Sequence, residues 1–232
     1  MLSQSEAKNV CIVSRCFMYK LFQRVFGEEP SLELLYMIIN EYTENVLFVM
    51  LGEEYISVAV DILSTIRDAL SASEDIAVES TKDEYTRLLI GPGKLLAPPW
   101  ESVYMDMDMD ETIFHESMLS VRQVYRKYGL CSVGYPNSAD DHIAIELDFM
   151  AILSGLLVDC YEQNRMDNVE WILLDQKDFL EKHLLSWIHS YSSRLQTDKV
   201  YSFYPRLVNL MCMVLEADSV LLEELRIMEQ QT

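Results

Sequence analysis

Few residues in this chain could carry chemistry. Its 232 residues include four histidines, at 115, 142, 183 and 189, and five cysteines, at 11, 16, 131, 160 and 212. The most suggestive polar cluster is Asp140-Asp141-His142. Two carboxylates beside an imidazole can act as an acid–base pair or as metal ligands. The same residue types ahead of an apolar run can also cap a helix, with Ser138, Asp140 and Asp141 as the candidate caps. Asp106, Asp108 and Asp110 alternate like the start of a calcium loop, but Glu111 stands where that loop needs Gly and Ser117 where it needs Glu. The segment Gly91-Pro92-Gly93-Lys94 invites a phosphate-loop reading. Leu88 and Leu95 occupy the positions that require Gly and Ser or Thr, so it fails. No paired-histidine zinc spacing and no nucleophile elbow appears. Nothing positive points to an enzyme or to a bound cofactor.

The totals narrow the classes further. Thirty-eight acidic residues against 18 basic ones leave a net charge of −20. This argues against a nucleic-acid partner, whose phosphates need a basic surface, and favours a cationic one. The cysteine count is odd and no C-x-x-C pair occurs, which fits reduced thiols in the cytoplasm. The first residues lack the basic start and unbroken apolar run of a secretory signal. No uncharged apolar stretch reaches the roughly 18 residues of a membrane span, so stable membrane insertion is not expected.

The elements that must position these residues are helices. Seven Gly and six Pro are few for 232 residues, which favours long regular elements. Apolar residues recur at steps of three and four, and no stretch shows convincing two-residue alternation. The pattern predicts a first helix over about 5–26 with Val10, Val13, Phe17, Leu21 and Val25 inward. A second follows Ser31 and breaks near Asn40, and a third covers about 53–70 after Gly52. The segment 71–75 reads as a loop, and Thr81 with Glu84 as a capping box. Further helices are expected over about 111–128, 142–163, 167–191 with Asp167 as cap, and from about Tyr201, where Pro205 must fall in the first turn. The expected architecture is all-α, one compact multi-helix domain spanning 1–232.

The stretch from Glu84 to Tyr104, EYTRLLIGPGKLLAPPWESVY, organises the rest. Gly91, Pro92 and Gly93 end a helix, because Gly tolerates left-handed backbone and Pro cannot continue the ladder. Pro98 and Pro99 stiffen the exit, and Trp100 and Tyr104 are spaced to share one helical face. So stiff and aromatic a loop suits the wall of a binding groove.

Five segments together resemble the TorD/DmsD family of cytoplasmic redox-enzyme maturation chaperones. They are E-Y-x-R-L-L-I-G-P-G with A-P-P-W-E-S-V-Y (84–104), V-R-Q-V-Y-R-K-Y-G-L (121–130), P-N-S-A-D-D-H-I-x-x-E-L-x-F-M (136–150), F-L-E-K-H-L-L-S-W (179–187) and F-Y-P-R-L-V (203–208). The resemblance implies an all-helical TorD-like domain without enzymatic chemistry. It further implies binding of the twin-arginine signal peptide and the immature precursor of a molybdopterin-containing oxidoreductase in the cytoplasm. Such a chaperone assists cofactor insertion and delays export, as a monomer or a helix-exchanged dimer. Under this reading the apolar middle of the peptide lies against Tyr85, Leu88, Trp100 and Tyr104. Its arginines meet Glu101, Asp140 and Asp141, with His142 fixing the loop. Other classes stay open: a helical adaptor, a nitrate-reductase-type assembly chaperone for a subunit that is not exported, or a metal-dependent helical hydrolase using Asp140, Asp141 and His142.

Overall fold

The computed structural model describes residues 3–105, 116–133, 139–196 and 203–230. The acidic 106–110 segment, the expected start of the 111–128 helix, the candidate cap Ser138 and the start at Tyr201 lie outside them.

Among the described residues the chain is helical without a strand. Helix α1 (Gln4–Gly27) starts in a capping box, with the Ser3 and Glu6 side chains each accepting from the other's backbone N–H. Helix α2 (Leu32–Ile39) is capped by Ser31, and α3 (Glu41–Ala72) by Asn40. The long α3 kinks at Gly52, which adopts φ 69° and ψ −176°, a conformation that penalises any side chain. Helix α4 (Glu74–Tyr85) continues into a π-helical turn, Thr86–Ile90, that stops at Gly91 with φ 94°. After the 91–101 loop come the short α5 (Ser102–Met105), α6 (Glu116–Lys127) and α7 (Ile143–Glu162). Helix α8 (Val169–Phe179) runs through a second π turn, Leu180–Leu184, into α9 (Leu185–Leu195); α10 (Phe203–Gln230) follows.

Helices α1 and α7 pack along each other more extensively than any other pair; α3 lies against α1, α8 against α7, and α10 against α3, α8 and α9. One continuous core runs from Ile12 to Leu225. It includes Ile143, Leu147, Met150, Leu153 and Leu157 of α7 at 0% exposure, as that helix's near-unbroken apolar run requires. A polar network crosses this core. Arg15 donates from Nε to Asp218 Oδ1 at 2.5 Å and from Nη2 to Gln176 Oε1 at 2.7 Å, and Tyr19 donates to Asp218 Oδ2 at 2.6 Å. Arg15 and Asp218 are both fully buried, so each charge depends on the other for compensation.

Several expectations need correction. The 71–75 loop shrinks to Ser73, which caps α4 through Ile76 N–H. Thr81 and Glu84 form no capping box, because α4 passes straight through them: Thr81 Oγ1 donates to Ala77 O, and Glu84 reaches across the fold. Its carboxylate accepts from Phe203 N and from Tyr204 N at 3.0 Å, capping α10 instead. Asp167 sits in a 3₁₀ turn, Met166–Asn168, ahead of α8, and so caps nothing there. Val10 and Val13 are exposed, since α1 buries the neighbouring Ile12, Arg15 and Tyr19. Pro205 does fall in the first turn of α10.

Candidate functional site

The proline-rich loop and the Asp-Asp-His turn meet. Trp100 and His142 form an isolated antiparallel bridge. Glu101 N donates to Asp141 O at 3.0 Å, and Ile143 N donates to Pro99 O at 3.0 Å. The Trp100 and His142 rings pack edge to face, 5.3 Å between centroids. Pro98 and Pro99 have no N–H to give, so the joint uses the carbonyl of Pro99 and the donors that follow.

Each charged or polar member of this corner has an internal partner. Asp141 is 0% exposed and accepts from Ser102 N through Oδ2 at 2.9 Å, at the start of α5. Asp140 is 1% exposed and takes Arg122 Nε and the Ser132 hydroxyl. Neither caps α7; His142 does, its Nδ1 accepting from Ala144 N at 3.1 Å. That role needs a neutral ring, and burial supplies one by lowering the His142 pKa from 6.5 to about 4, against the opposing pull of Asp141. Glu101 is 2% exposed and lies 3.0 Å from His183 Nδ1, which the second π turn carries inward. Beneath it the Trp187 indole donates to Glu146 Oε2 at 3.2 Å. Burial first, then the neighbouring Glu101 carboxylate, push the Glu146 carboxyl well above the usual carboxylate range.

The aromatic residues divide. Trp100 is half-buried at the bridge and lies outside α5, so it does not share a helical face with Tyr104. Tyr104, also half-buried, stacks on Trp187 at 5.5 Å and meets Tyr191 edge on, with the Arg194 guanidinium 5.7 Å from its ring. Tyr85 packs against Tyr204 at 6.0 Å, and Leu88 is 1% exposed. The structure thus gathers Trp100, Glu101, Asp140, Asp141 and His142 at one corner, sets Tyr104 on its α9 side, and leaves Tyr85, at the end of α4, and Leu88, within the first π turn, in the core.

Sequence reasoning missed Arg122, Ser132, His183, Glu146 and Trp187. Only Ser132 lies within ten residues of its partner, and a folded chain is needed to bring the others in. Two cavities flank the corner. The smaller, of about 130 Å³, holds Arg122 and Asp140. The larger, of about 320 Å³, lies between α1, α7 and residues 130–133. Among the described residues no group of three His, Cys, Asp or Glu is arranged to hold a metal ion, and no helix is long and apolar enough to cross a membrane.

Fold and corner define an all-helical protein whose central loop is clamped to the start of its most buried helix. Residues 56–192 match the family described as nitrate reductase delta subunit. The chain belongs to that family, and relatives it is similar to include proteins named TorD and DmsD. Chaperone protein TorD of Aliivibrio salmonicida is 28% identical over 149 residues, covering 64% of this chain and 66% of that one. The probable Tat proofreading chaperone DmsD of Haemophilus influenzae is 29% identical over 129 residues, covering 56% and 55%. TorD of Vibrio cholerae is 24% identical over 166 residues, covering 72% and 70%. The first two matches span just under two thirds and just over half of those relatives' lengths.

Proposed function

We propose that this protein is a cytoplasmic chaperone, acting as one domain and not as an enzyme. It binds the twin-arginine signal peptide and the immature form of a molybdopterin-containing oxidoreductase and holds the precursor back until its cofactor is inserted. The observation that carries the reading is the hydrogen-bonded joint between loop and turn at Trp100 and His142, because it makes two of the five family-like segments into one surface element. Membership of a family whose relatives are named as chaperones supports the same reading.

In this proposal Trp100 and Tyr104 form the rim that meets the peptide's apolar middle, and each large apolar anchor buried there contributes on the order of 1.5–3 kcal/mol. Glu101, Asp140, Asp141 and His142 serve that surface by fixing its shape, since their internal bonds hold loop and turn in register. Tyr85 and Leu88 back it from the core. The net charge of −20 speeds encounter with a basic leader and makes binding fall with salt. Arginine pairs with carboxylate in a two-pronged geometry that lysine cannot copy.

Calorimetric titration of a twin-arginine signal peptide, and of the same peptide with both arginines changed to lysine, tests the reading. Salt-sensitive binding that is several-fold weaker for the lysine peptide is expected. Absence of binding, or indifference to both changes, overturns it. The client itself is identified by co-purification from cells with the chain as bait; a molybdoenzyme precursor is the expected catch.

A further inference from the structure

The corner's carboxylates are committed: Asp140 to Arg122 and Ser132, Asp141 to Ser102 N, and Glu101 to His183. One oxygen there, Asp141 Oδ1, has no hydrogen-bond partner, but Asp141 is 0% exposed, so a guanidinium arriving from a peptide cannot reach it without opening the corner. Asp148 is different. It is an exposed residue of α7, it lines the cavity of about 320 Å³, and among the described residues it has no hydrogen-bond or ion-pair partner. Partial burial alone holds its carboxyl above the usual range, with no cation to lower it.

The cavity suits a long cationic side chain. Ala144, Ile145, Phe149 and Ile152 of α7 give it an apolar wall that an alkyl stem can cover. Gln23 and Gly27 line it from the last turns of α1, where the helix's terminal carbonyls favour positive charge. Its volume is near the lower end of the range for small-ligand sites, about 300–1,000 Å³, so it takes a side chain or two and no whole helix. The adjoining smaller cavity already contains its own ion pair, Arg122 with Asp140. The larger one supplies the anion and lacks the cation.

We infer that this cavity receives an arginine side chain of the bound signal peptide, with Asp148 as its charge partner. The inference rests on the signal-peptide reading and adds the place where the basic part of the peptide is held. The joint at Trp100 and His142 lies immediately before this stretch of α7, so a peptide lying across the corner reaches the cavity within one helical turn or two.

The test compares wild type, Asp148→Asn and a control, Asp178→Asn, which alters an exposed i, i+4 pair with Lys182, for binding of the twin-arginine and twin-lysine peptides at low salt. Expected is a loss of about tenfold for Asp148→Asn with the arginine peptide, the scale of one charge-assisted hydrogen bond. Its preference for arginine over lysine should shrink, and the control should match wild type. Tight arginine-peptide binding that ignores Asp148→Asn overturns this inference and leaves the signal-peptide reading standing. No binding to wild type refutes both. Cys131, exposed and lining the same cavity, gives a readout on the unaltered protein: saturating peptide should slow its alkylation, followed by mass spectrometry. Unchanged alkylation in the presence of bound peptide also overturns the inference.

Discussion

Acid should loosen the His142 corner, and the size of the effect can be worked out. The ring caps the 20-residue α7 only while Nδ1 is free to accept from Ala144 N. Protonation removes that acceptor and places a cation at the positive end of the helix dipole. The folded ring titrates at about 4 and the unfolded one at 6.5. On acidification the unfolded chain therefore takes up its proton first. The ring's contribution is whole above pH 6.5 and is lost as pH falls towards 4. At about 1.36 kcal/mol for each pH unit separating the two values, the loss approaches about 3 kcal/mol. His142→Asn keeps a capping acceptor and does not titrate. Urea unfolding of both proteins between about pH 4 and 7.5, followed by circular dichroism, should show the variant gaining on wild type by about 2–3 kcal/mol towards the acid end. Glu146 pulls the other way, because its raised folded pKa makes the native state bind its proton more tightly and strengthens it as pH falls. Glu146 is present in both proteins, so the difference isolates His142. Parallel pH curves would refute the reasoning.

Two stability predictions join the binding experiments. Asp218→Ala leaves Arg15 buried beside an empty acceptor. It should cost about 3–5 kcal/mol in urea unfolding, and a loss below about 1 kcal/mol would show that the network is hydrated. Glu84→Ala removes the acceptor for Phe203 N and Tyr204 N. It should cost about 1–2 kcal/mol and speed amide exchange in the first turn of α10, while exchange in α7 stays unchanged.

How much of this was legible in the chain differs from feature to feature. Ser31, Asn40 and Gly52 act where their local chemistry puts them, because caps and a left-handed glycine depend on neighbours within about four residues. Glu84 misled because its spacing from Thr81 imitates a capping box, whereas its partners lie about 120 residues on. Asp140 and Asp141 read equally well as caps, ligands or arginine acceptors. No local pattern distinguishes these roles when the deciding donors are Arg122, Ser132 and Ser102 N. Asp148 went unnoticed inside an apolar run, since a single acid on a helix acquires meaning only from the cavity it faces.

The sequence by itself determined that the protein is helical, where most helices begin and end, and that Gly91 stops a helix at the start of the 91–101 loop. Periodicity, capping and the limits of Gly and Pro act over a few residues and need no folded context. Tertiary structure alone decided that this loop is bonded to the turn before α7, that the corner's carboxylates accept from internal donors, and that among the described residues Asp148 has no cation beside it. Those outcomes depend on which groups meet across tens of residues, and burial then fixes their protonation and their partners.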